Sequence, residues 1–320
     1  MRHIFLSAAL VAALTVPACA QADYPNRVVK IVVASAPGGG TDTVARVLAN
    51  ELSKTMGQSF IVENKPGAGN VRGSDVVAKS PNDGYTLLMS ASTLAINHVM
   101  HKQLPYDVAR DFAPITQMVV IPNVLVVGAK EPFRTTQEFL AAARANPGGL
   151  TYGSAGPGTA PHMAMELLRL QANIDLLHVP YTGVAPAIND VMGGRVNSML
   201  VNFLSAKPQI DGGTLRALAM SSPKRSPFMP DLPTISESGV PGYEAIQWFG
   251  LLAPVGTPKA IVERLQAETA RILQTPVMKE RLALEGAEPV GSDPEAFGAL
   301  IKAEMAKWSE VAKAAGIKPE

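Results

Sequence analysis

Apolar runs and amphipathic stretches alternate along the chain with the spacing of strands and helices. Residues 28–36 form an apolar run rich in β-branched side chains, which is typical of a strand buried on both faces. The stretch after it places Val44, Leu48 and Leu52 on one helical face, and Gly57 stands where a helix would end. Because strands that alternate with helices form parallel βαβ units, this part of the chain predicts a parallel sheet covered by helices. Further strands are predicted at residues 60–62 and 85–90.

The same plan recurs from residue 150 onwards. A strand at 150–152 leads into a glycine-rich segment, and a helix carrying Met163 and Leu167 follows. A chain of 320 residues is longer than one ordinary hydrophobic core requires, so the recurrence predicts two domains, each with its own sheet. In this second part we also predict a helix at 185–192 and strands at 176–179, 196–201 and 215–220.

Capping residues mark the expected starts of three more helices. Thr135 and Glu138 have the spacing of a capping box. Thr257 and Asp293 each precede a proline, which predicts a capping residue followed by a proline in the first helical turn. Residues 221–242 contain five prolines and are expected to form a long surface excursion rather than a linker.

The first 22 residues have the pattern of a secretory signal peptide. Arg2 gives a positive start, residues 4–16 are almost wholly apolar, and small residues follow. The apolar run is shorter than the roughly 18–20 residues that a membrane span needs. We expect cleavage after Ala22, which makes Asp23 the first mature residue; cleavage after Ala20 is the alternative.

The single cysteine, Cys19, lies inside this leader, so the mature chain is expected to be soluble, monomeric and free of thiols and disulfides. An alternative is that residues 16–19 form a lipoprotein box, in which Cys19 would carry the lipid and become the first residue. Pro17 fits that pattern poorly. Either way the protein is expected in the periplasm, free or tethered by its end.

Composition and charge disfavour nucleic-acid and membrane-surface binding. Hydrophobic residues make up 47% of the chain and charged residues 17%, which is typical of a packed globular protein. The formal net charge is +1, and removal of Arg2 with the leader would make the mature chain neutral. A chain without a basic field or a block of basic residues has no electrostatic footprint for nucleic acid.

Two glycine-rich segments, residues 37–42 and 153–159, each follow a predicted strand and open a predicted helix. Backbone N–H groups at a helix start have no partner within the helix and lie at the positive end of its dipole. Glycines allow the φ > 0 turns that bring such groups against a ligand, so each segment predicts an anion-binding loop. Hydroxyls at Thr41, Ser154 and Thr159 can add hydrogen bonds without adding charge. One glycine-rich loop is often only a turn, but two of them, one in each predicted domain, suggest that the domains hold a ligand between them.

Nucleotide, metal and catalytic motifs are incomplete. Thr43 stands where the dinucleotide fingerprint needs its third glycine, and no Gly-Lys-Ser/Thr of a P-loop or Gly-x-Ser-x-Gly of a serine hydrolase occurs. His98 and His101 share a helical face without a third ligand nearby in sequence, so two solvated histidines are the preferred interpretation. His162 follows the second loop, and bracing that loop is preferred over contacting a ligand. We therefore expect no cofactor, no metal and no enzymatic activity.

The chain resembles the Bug family, the periplasmic receptors of tripartite tricarboxylate transporters. The resemblance runs from Tyr24 to Ile317 and includes the loops at 37–42 and 153–159. The other matching segments are 62–69, 83–88, 104–107, 178–181, 248–254 and 286–290.

This resemblance implies an α/β, two-lobed periplasmic-binding-protein fold with two mixed or parallel sheets joined by two crossover strands. The crossings would be residues 118–127 and 244–254. Lobe 1 would then comprise residues 23–121 and 249–320, and lobe 2 residues 122–248.

The resemblance also implies that the two loops clamp one carboxylate of the ligand through backbone amides, hydroxyls and ordered water. The expected substrate-binding residues are those of the first loop, namely Pro37, Gly38, Gly39, Gly40, Thr41 and Asp42, and those of the second, namely Gly153, Ser154, Ala155, Gly156, Gly158 and Thr159, with His162 beside it. Tyr181, Asn202 and the segment 90–93, in particular Ser90 and Ser92, would line the rest of the cleft.

Two departures leave the far half of the ligand open. His98 stands where the family often has proline after Ala-Ile-Asn, and Arg72 replaces a small residue. Arg72 would be either a second anion contact or solvated. The leading hypothesis is a receptor that delivers a small organic carboxylate to the membrane permease subunits of a transporter. The alternative, a periplasmic sensor for a two-component system, would use the same closed form.

Overall fold

The computed structural model describes residues 24–284 and 286–319, so the predicted leader and Cys19 lie outside the described residues. In chain order the strands are β1 (Val29–Val33), β2 (Phe60–Asn64), β3 (Thr86–Ala91), β4 (Phe112–Ile121), β5 (Asn123–Gly128), β6 (Thr151–Ser154), β7 (Leu177–Pro180), β8 (Ser198–Asn202), β9 (Leu215–Met220), β10 (Gln247–Pro254) and β11 (Glu288–Pro289). The helices are α1 (Gly40–Met56), α2 (Val71–Ala78), α3 (Thr93–Met100), α4 (Thr136–Ala145), α5 (Ala160–Ala172), α6 (Val184–Met192), α7 (Phe203–Asp211), α8 (Lys259–Leu273), α9 (Pro276–Leu284) and α10 (Pro294–Ala314).

Two mixed sheets organise these elements, as the sequence predicted. The first has the order β11-β4-β10-β3-β1-β2 and the second the order β7-β6-β8-β5-β9. Within the first sheet β1, β2 and β3 are parallel, while β10 is antiparallel to β3 and β4. Within the second sheet β6, β7 and β8 are parallel, while β5 is antiparallel to β8 and β9.

The chain crosses between the sheets at two places. The strand β4 belongs to the first sheet and β5 to the second, and only Pro122 separates them. The return passes from β9 to β10 through residues 221–246. This strand membership supports the predicted lobes, 23–121 with 249–320 and 122–248, whose boundaries stay a prediction.

The C-terminal helix α10 packs into both lobes. Phe297 and Ile301, near its start, lie in a core with strands of the first sheet. Trp308, Val311 and Ala312, near its end, join the core that α5 and β6 form in the second sheet. The end of α10 thus belongs to lobe 1 but packs against lobe 2.

The local predictions were mostly right, with two corrections. Gly57 ends α1 with φ 72°, and Asp293 caps α10 by accepting a hydrogen bond from the N–H of Ala296 at 2.7 Å. Thr257, however, does not cap α8: its hydroxyl donates to the carbonyl of Pro254, and Pro258 itself precedes the helix.

The proline-rich segment 221–242 is the second correction, because it is anchored in the structure rather than lying wholly on the surface. Ile235 and Val240 are buried in the core of the second lobe, as is Tyr243 just beyond the segment. The hydroxyl of Tyr243 donates to the carbonyl of Ala164 in α5 at 2.8 Å. The segment is therefore a packed connection. The sequence did not indicate this, because the apolar residues of the segment are too widely spaced to form the period of a helix or a strand.

We predict that Gly250→Ala destabilises the protein by about 1–3 kcal/mol, because the added methyl group would overlap the fully buried ring of Phe297. Gly298→Ala is the matched control on α10, where the methyl group would meet only Pro114 at 3.4 Å and alanine favours the helix by up to about 1 kcal/mol. Urea unfolding followed by circular dichroism measures both. Equal stability of the two variants would contradict this packing.

Candidate functional site

The first glycine-rich loop connects β1 to α1 and is braced by a buried acid. Asp42, only 3% exposed, accepts hydrogen bonds from the N–H of Gly38 at 2.9 Å and from Nε of Arg46 at 3.0 Å. Its other oxygen accepts from Nδ2 of Asn64, at the end of β2, at 2.9 Å. Both carboxylate oxygens are therefore engaged within the protein, which gives Asp42 a bracing role.

The environment keeps Asp42 ionised. Burial disfavours the charged form, but the hydrogen bonds from Arg46, Gly38 and Asn64 outweigh it and lower the pKa of Asp42 below its ordinary value. Of the glycines in this loop, Gly38 has φ 85°, whereas Gly39 has φ −76°. The expected left-handed conformation thus falls on Gly38, and an L-residue could adopt the backbone of Gly39.

The second loop connects β6 to α5 and is braced by a serine and a histidine. The hydroxyl of Ser154 accepts from the N–H of Gly156 at 3.0 Å, and Nδ1 of His162 accepts from the N–H of Gly158 at 3.0 Å. Both glycines have positive φ, 119° and 71°. The hydroxyl of Thr159 closes the loop by donating to the carbonyl of Gly156 at 2.7 Å. The contact with Gly158 is the bracing role that the sequence suggested for His162.

A buried aromatic cluster supports this loop from below. The rings of Tyr152 and His178 stack with centroids 4.8 Å apart, and those of His178 and His162 with centroids 4.2 Å apart. The hydroxyl of Tyr152 donates to the carboxylate of Glu166, which also pairs with Arg169 at 2.9 Å. Nε2 of His162 lies 4.0 Å from that carboxylate.

The two histidines of the cluster favour the neutral form. Burial lowers the pKa of His162, and burial together with the charge of His162 lowers the pKa of His178 to about 4. At neutral pH His162 is therefore an uncharged imidazole, and its unprotonated Nδ1 can accept the hydrogen bond from Gly158.

Ser154 and His178 have the spacing of an activated nucleophile, with 2.7 Å between Oγ and Nε2. Ser154 is fully buried, however, and its oxygen already accepts the N–H of Gly156. Ser154 and His178 therefore hold the second loop in place and do not present a nucleophile to a substrate.

A cavity of about 450 Å³ lies between the lobes, and no charged side chain of the described chain lines it. Apolar residues from both lobes, such as Ile121, Val184 and Phe249, provide part of the wall. Its lining is Gly40, Thr41, Asn70, Ala91, Thr93, Ile121, Ala160, Pro161, Val184, Val201, Asn202, Leu204, Ser205, Gln247 and Phe249. A second cavity of about 360 Å³ shares Thr93 and extends between α3 and the second loop.

Six helices begin at this cavity. They follow the parallel strands of the two sheets: α1, α2 and α3 follow β1, β2 and β3, and α5, α6 and α7 follow β6, β7 and β8. Each of these helices contributes its first turn or its capping residue to the lining. This placement follows from the rule that ligands of open α/β sheets bind beyond the carboxyl ends of parallel strands. The cavity thus collects positive dipole ends without a cationic side chain.

Several backbone N–H groups at the cavity are available to a ligand. No described residue accepts a hydrogen bond from the N–H of Gly40, Thr41 or Ala160, at the starts of α1 and α5. The hydroxyl of Thr41 likewise has no partner among the described residues, since none of their hydrogen bonds includes it. These groups, rather than the N–H groups of Gly38, Gly156 and Gly158, are free to bind an anion.

The remaining predicted residues fall into three places. Asn202 lines the cavity and caps α7 by accepting from the N–H of Leu204 at 2.9 Å. Tyr181 donates its hydroxyl to Asp190 at 2.6 Å, and burial and this bond raise its pKa to about 12. Pro37 and Gly39 are exposed outside the lining, whereas Gly153 is buried behind the second loop and Ala155 is half-buried.

The structure places Ala91 and Thr93, not Ser90 and Ser92, in the lining. Ser90 and Ala91 end β3, where successive side chains point to opposite faces, so Ser90 lies on the buried face; Ser92 is the capping position before α3. Ser90 and Ser92 are 2% and 3% exposed and lie behind the wall. Arg72 is exposed and outside both linings, which agrees with the solvated alternative.

Comparison with known proteins places the chain in a family. The model of the tripartite tricarboxylate transporter family receptor matches residues 44–317. This chain belongs to that family. BugT of Bordetella pertussis is 36% identical over 297 residues, which cover 92% of this chain and 91% of BugT, and the predicted resemblance to Bug proteins is thereby confirmed.

Solved receptors share the fold over nearly the whole chain. Rpa4515 of R. palustris, solved with adipate, has a TM-score of 0.77 and 37% identity and covers 93% of this chain and 100% of its own. MatC of Rhodopseudomonas palustris, solved with bound malate, has a TM-score of 0.72 and 32% identity and covers 90% and 99%. The two-lobed fold predicted for this receptor is therefore confirmed.

The sequence missed several residues of the receptor site. Asn70, Gln247 and Ser205 line the cavity, and Asn64 and Glu166 support the two loops. A signal existed for Glu166, which follows His162 by four residues and so shares its helical face. Gln247 holds Asn123 through a bond of 3.0 Å across the chain, which local sequence spacing cannot show.

We predict that Asp42→Asn lowers the free energy of unfolding by about 1–3 kcal/mol at pH 7. The substitution replaces one carboxylate oxygen, which accepts hydrogen bonds from Gly38 and Arg46 or from Asn64, by an NH2 group that cannot accept them. Glu51→Gln is the control, since it removes a charge from the same helix but only a partly exposed ion pair with Lys54, worth about 0.5 kcal/mol.

The pH dependence of the Asp42→Asn effect follows from the lowered pKa of Asp42. An acid whose folded pKa is depressed stabilises the protein above its unfolded pKa of about 3.9, and that stability is lost as pH falls through the folded pKa. The difference between wild type and Asp42→Asn should therefore shrink below about pH 4. Chemical unfolding at pH 7 and pH 3 measures it, and a constant difference would contradict the bracing role.

Proposed function

We propose that this protein is an extracytoplasmic receptor that binds a small organic carboxylate between its lobes and delivers it to the permease subunits of a tripartite tricarboxylate-type transporter. The observation that carries the proposal is the convergence of six helix starts on a cavity lined by no charged side chain. The two lobes would close around the ligand, as the predicted two-lobed receptor requires.

The available donors suit a carboxylate. The free N–H groups of Gly40 and Thr41 on one lobe and of Ala160 on the other reach the same cavity. Hydrogen bonds to a charged acceptor are worth roughly 1.5–3 kcal/mol each, so a few of them support micromolar affinity, about −8 kcal/mol, after the entropy of binding is subtracted. A planar group with two oxygens can bridge both lobes.

The relatives support the chemical class of the ligand. Rpa4515 was solved with adipate and MatC with malate, and both ligands are carboxylates. The apolar wall of the cavity here, including Val184 and Phe249, would contact the carbon skeleton. The amides of Asn202 and Gln247 and the hydroxyl of Thr93 would contact the rest of the ligand.

The predicted site residues divide into two roles in this proposal. Gly40 and Thr41 would contact the carboxylate from the first loop. Asp42, Ser154 and His162 would hold the two loops in the binding conformation. The protein would act in the periplasm and catalyse no reaction, which agrees with the solute-binding character of its family. No helix of the described chain is long and apolar enough to cross a membrane.

We predict that the mature chain binds adipate or malate with micromolar affinity and binds the corresponding diamides at least about a hundredfold more weakly, because neutral amides lose two or more charge-assisted bonds. Isothermal titration calorimetry measures both. The proposal fails if neither acid nor any member of a panel of small carboxylates binds, or if an acid and its amide bind equally.

Thr41→Val tests the first loop directly. The substitution keeps the shape of the side chain and removes a hydroxyl at the cavity, so carboxylate affinity should fall by about 1 kcal/mol, or roughly fivefold. Thr43→Val, two residues further along α1 and outside the lining, loses only the bond from its hydroxyl to the carbonyl of Gly39 at 3.1 Å, so its effect on affinity should be smaller. Equal effects of the two variants would place the carboxylate elsewhere.

A further inference from the structure

The second loop meets the facing lobe at Gly158. Gly158 has φ 71°, and any side chain there would overlap Met100 at the end of α3. The loop therefore touches lobe 1 through bare backbone. The N–H of Gly158 at this contact is held by Nδ1 of His162 at 3.0 Å. This bond sets where the start of α5, with its free N–H at Ala160, meets the cavity.

The bond with Gly158 defines the protonation state of His162. Nδ1 accepts a backbone N–H, so it carries no proton, and the proton of the neutral ring is on Nε2. Nε2 faces the carboxylate of Glu166 at 4.0 Å, and that carboxylate is already engaged by Tyr152 and Arg169. A second proton on the ring would place an N–H donor against the N–H of Gly158.

We propose, resting on the proposed carboxylate receptor, that His162 is the positioning residue of the second loop and that protonation of its imidazole releases this loop and weakens ligand binding. The free N–H of Ala160 and the lobe contact at Gly158 then lose their fixed positions. Acidification thereby shifts the receptor toward the ligand-free form.

The groups around His162 are compatible with such a switch. Glu166 and Arg169 lie on its own helix, Tyr152 on β6 and His178 on β7. Of these, Glu166 favours the protonated ring, whereas Arg169 and burial oppose it, and burial dominates and lowers the pKa of His162. The ring is thus neutral at pH 7 and takes its proton at a lower pH.

The more distant ionisable groups on the elements packed against α5 have partners of their own. On α10, Glu304 accepts from Nε1 of Trp308 and pairs with Lys307. The buried hydroxyl of Tyr243 donates to the carbonyl of Ala164. His101, just beyond the end of α3, lines the neighbouring cavity together with Gly158, and His98 is exposed on α3 itself.

Two variants distinguish the loss of the hydrogen-bond acceptor at position 162 from the protonation of the imidazole ring. In His162→Asn the amide oxygen can replace Nδ1 as acceptor for Gly158 but does not titrate. His162→Leu removes the acceptor altogether. At pH 7.5 we expect His162→Leu to bind adipate about fivefold more weakly than wild type, the effect of one hydrogen bond, and His162→Asn to recover most of that loss.

The decisive measurement is the ratio of the adipate dissociation constants of wild type and His162→Asn, determined by calorimetry from pH 8 down to one unit below the measured His162 pKa. Protonation of the ligand affects both proteins equally and cancels. Because loss of the bond costs about fivefold and about nine-tenths of wild type has lost it at the lowest pH, the relative affinity should fall about fourfold. A ratio that stays constant, or a His162→Asn protein that keeps the pH dependence of wild type, overturns the inference.

Nuclear magnetic resonance of the ligand-free wild type tests the bond without a ligand. We expect Nδ1 of His162 to be the unprotonated nitrogen at pH 7.5, and the amide resonance of Gly158 to shift with the pKa of His162. A protonated Nδ1 at pH 7.5, or a Gly158 resonance that ignores this titration, overturns the inference even where a variant fails to fold. Absence of carboxylate binding by wild type would instead refute the proposed receptor, so the two failures are distinguishable.

Discussion

Backbone N–H groups at the start of a helix need an acceptor that the helix itself does not supply, and the rest of this structure depends on where those groups are placed. Six helices follow parallel strands of two sheets, and the carboxyl ends of those strands face one cavity. In our proposal, two sheets that present these ends to each other form an anion site from backbone alone. The absence of charged side chains from the described lining is then consistent with binding, because the helix starts provide the positive potential.

Three of the six glycines in the two loops shape the backbone rather than donate to a ligand. Gly38, Gly156 and Gly158 have positive φ, and their N–H groups are bound by Asp42, Ser154 and His162 respectively. The two loops differ in the chemistry of these acceptors. The first relies on an acid whose pKa is lowered, so it is unaffected by pH above about 4, while the second relies on a neutral imidazole.

The sequence predicted the features that depend on local spacing. Apolar periodicity identified the alternation of strands and helices, and the two glycine-rich turns were correctly placed before α1 and α5. The errors arose where distant residues decide the outcome. Asn64 and His178 reach the loops from neighbouring parallel strands, a pairing that requires the sheet order. The choice between Ser90 and Ala91 depended on the strand register, in which a shift of one residue exchanges the cavity face for the buried face.

The helix α10 links the two lobes. Its first half is packed with strands of the first sheet and its second half with α5, so the lobes share a rigid element besides the crossover strands. The helix α3 also packs against α10, and its Met100 meets the second loop at Gly158. The loop at the start of α5 is consequently confined from both sides, by α3 in front and by the buried cluster of Tyr152, His162 and His178 behind. In our proposal a change in that cluster therefore moves the donors at the cavity.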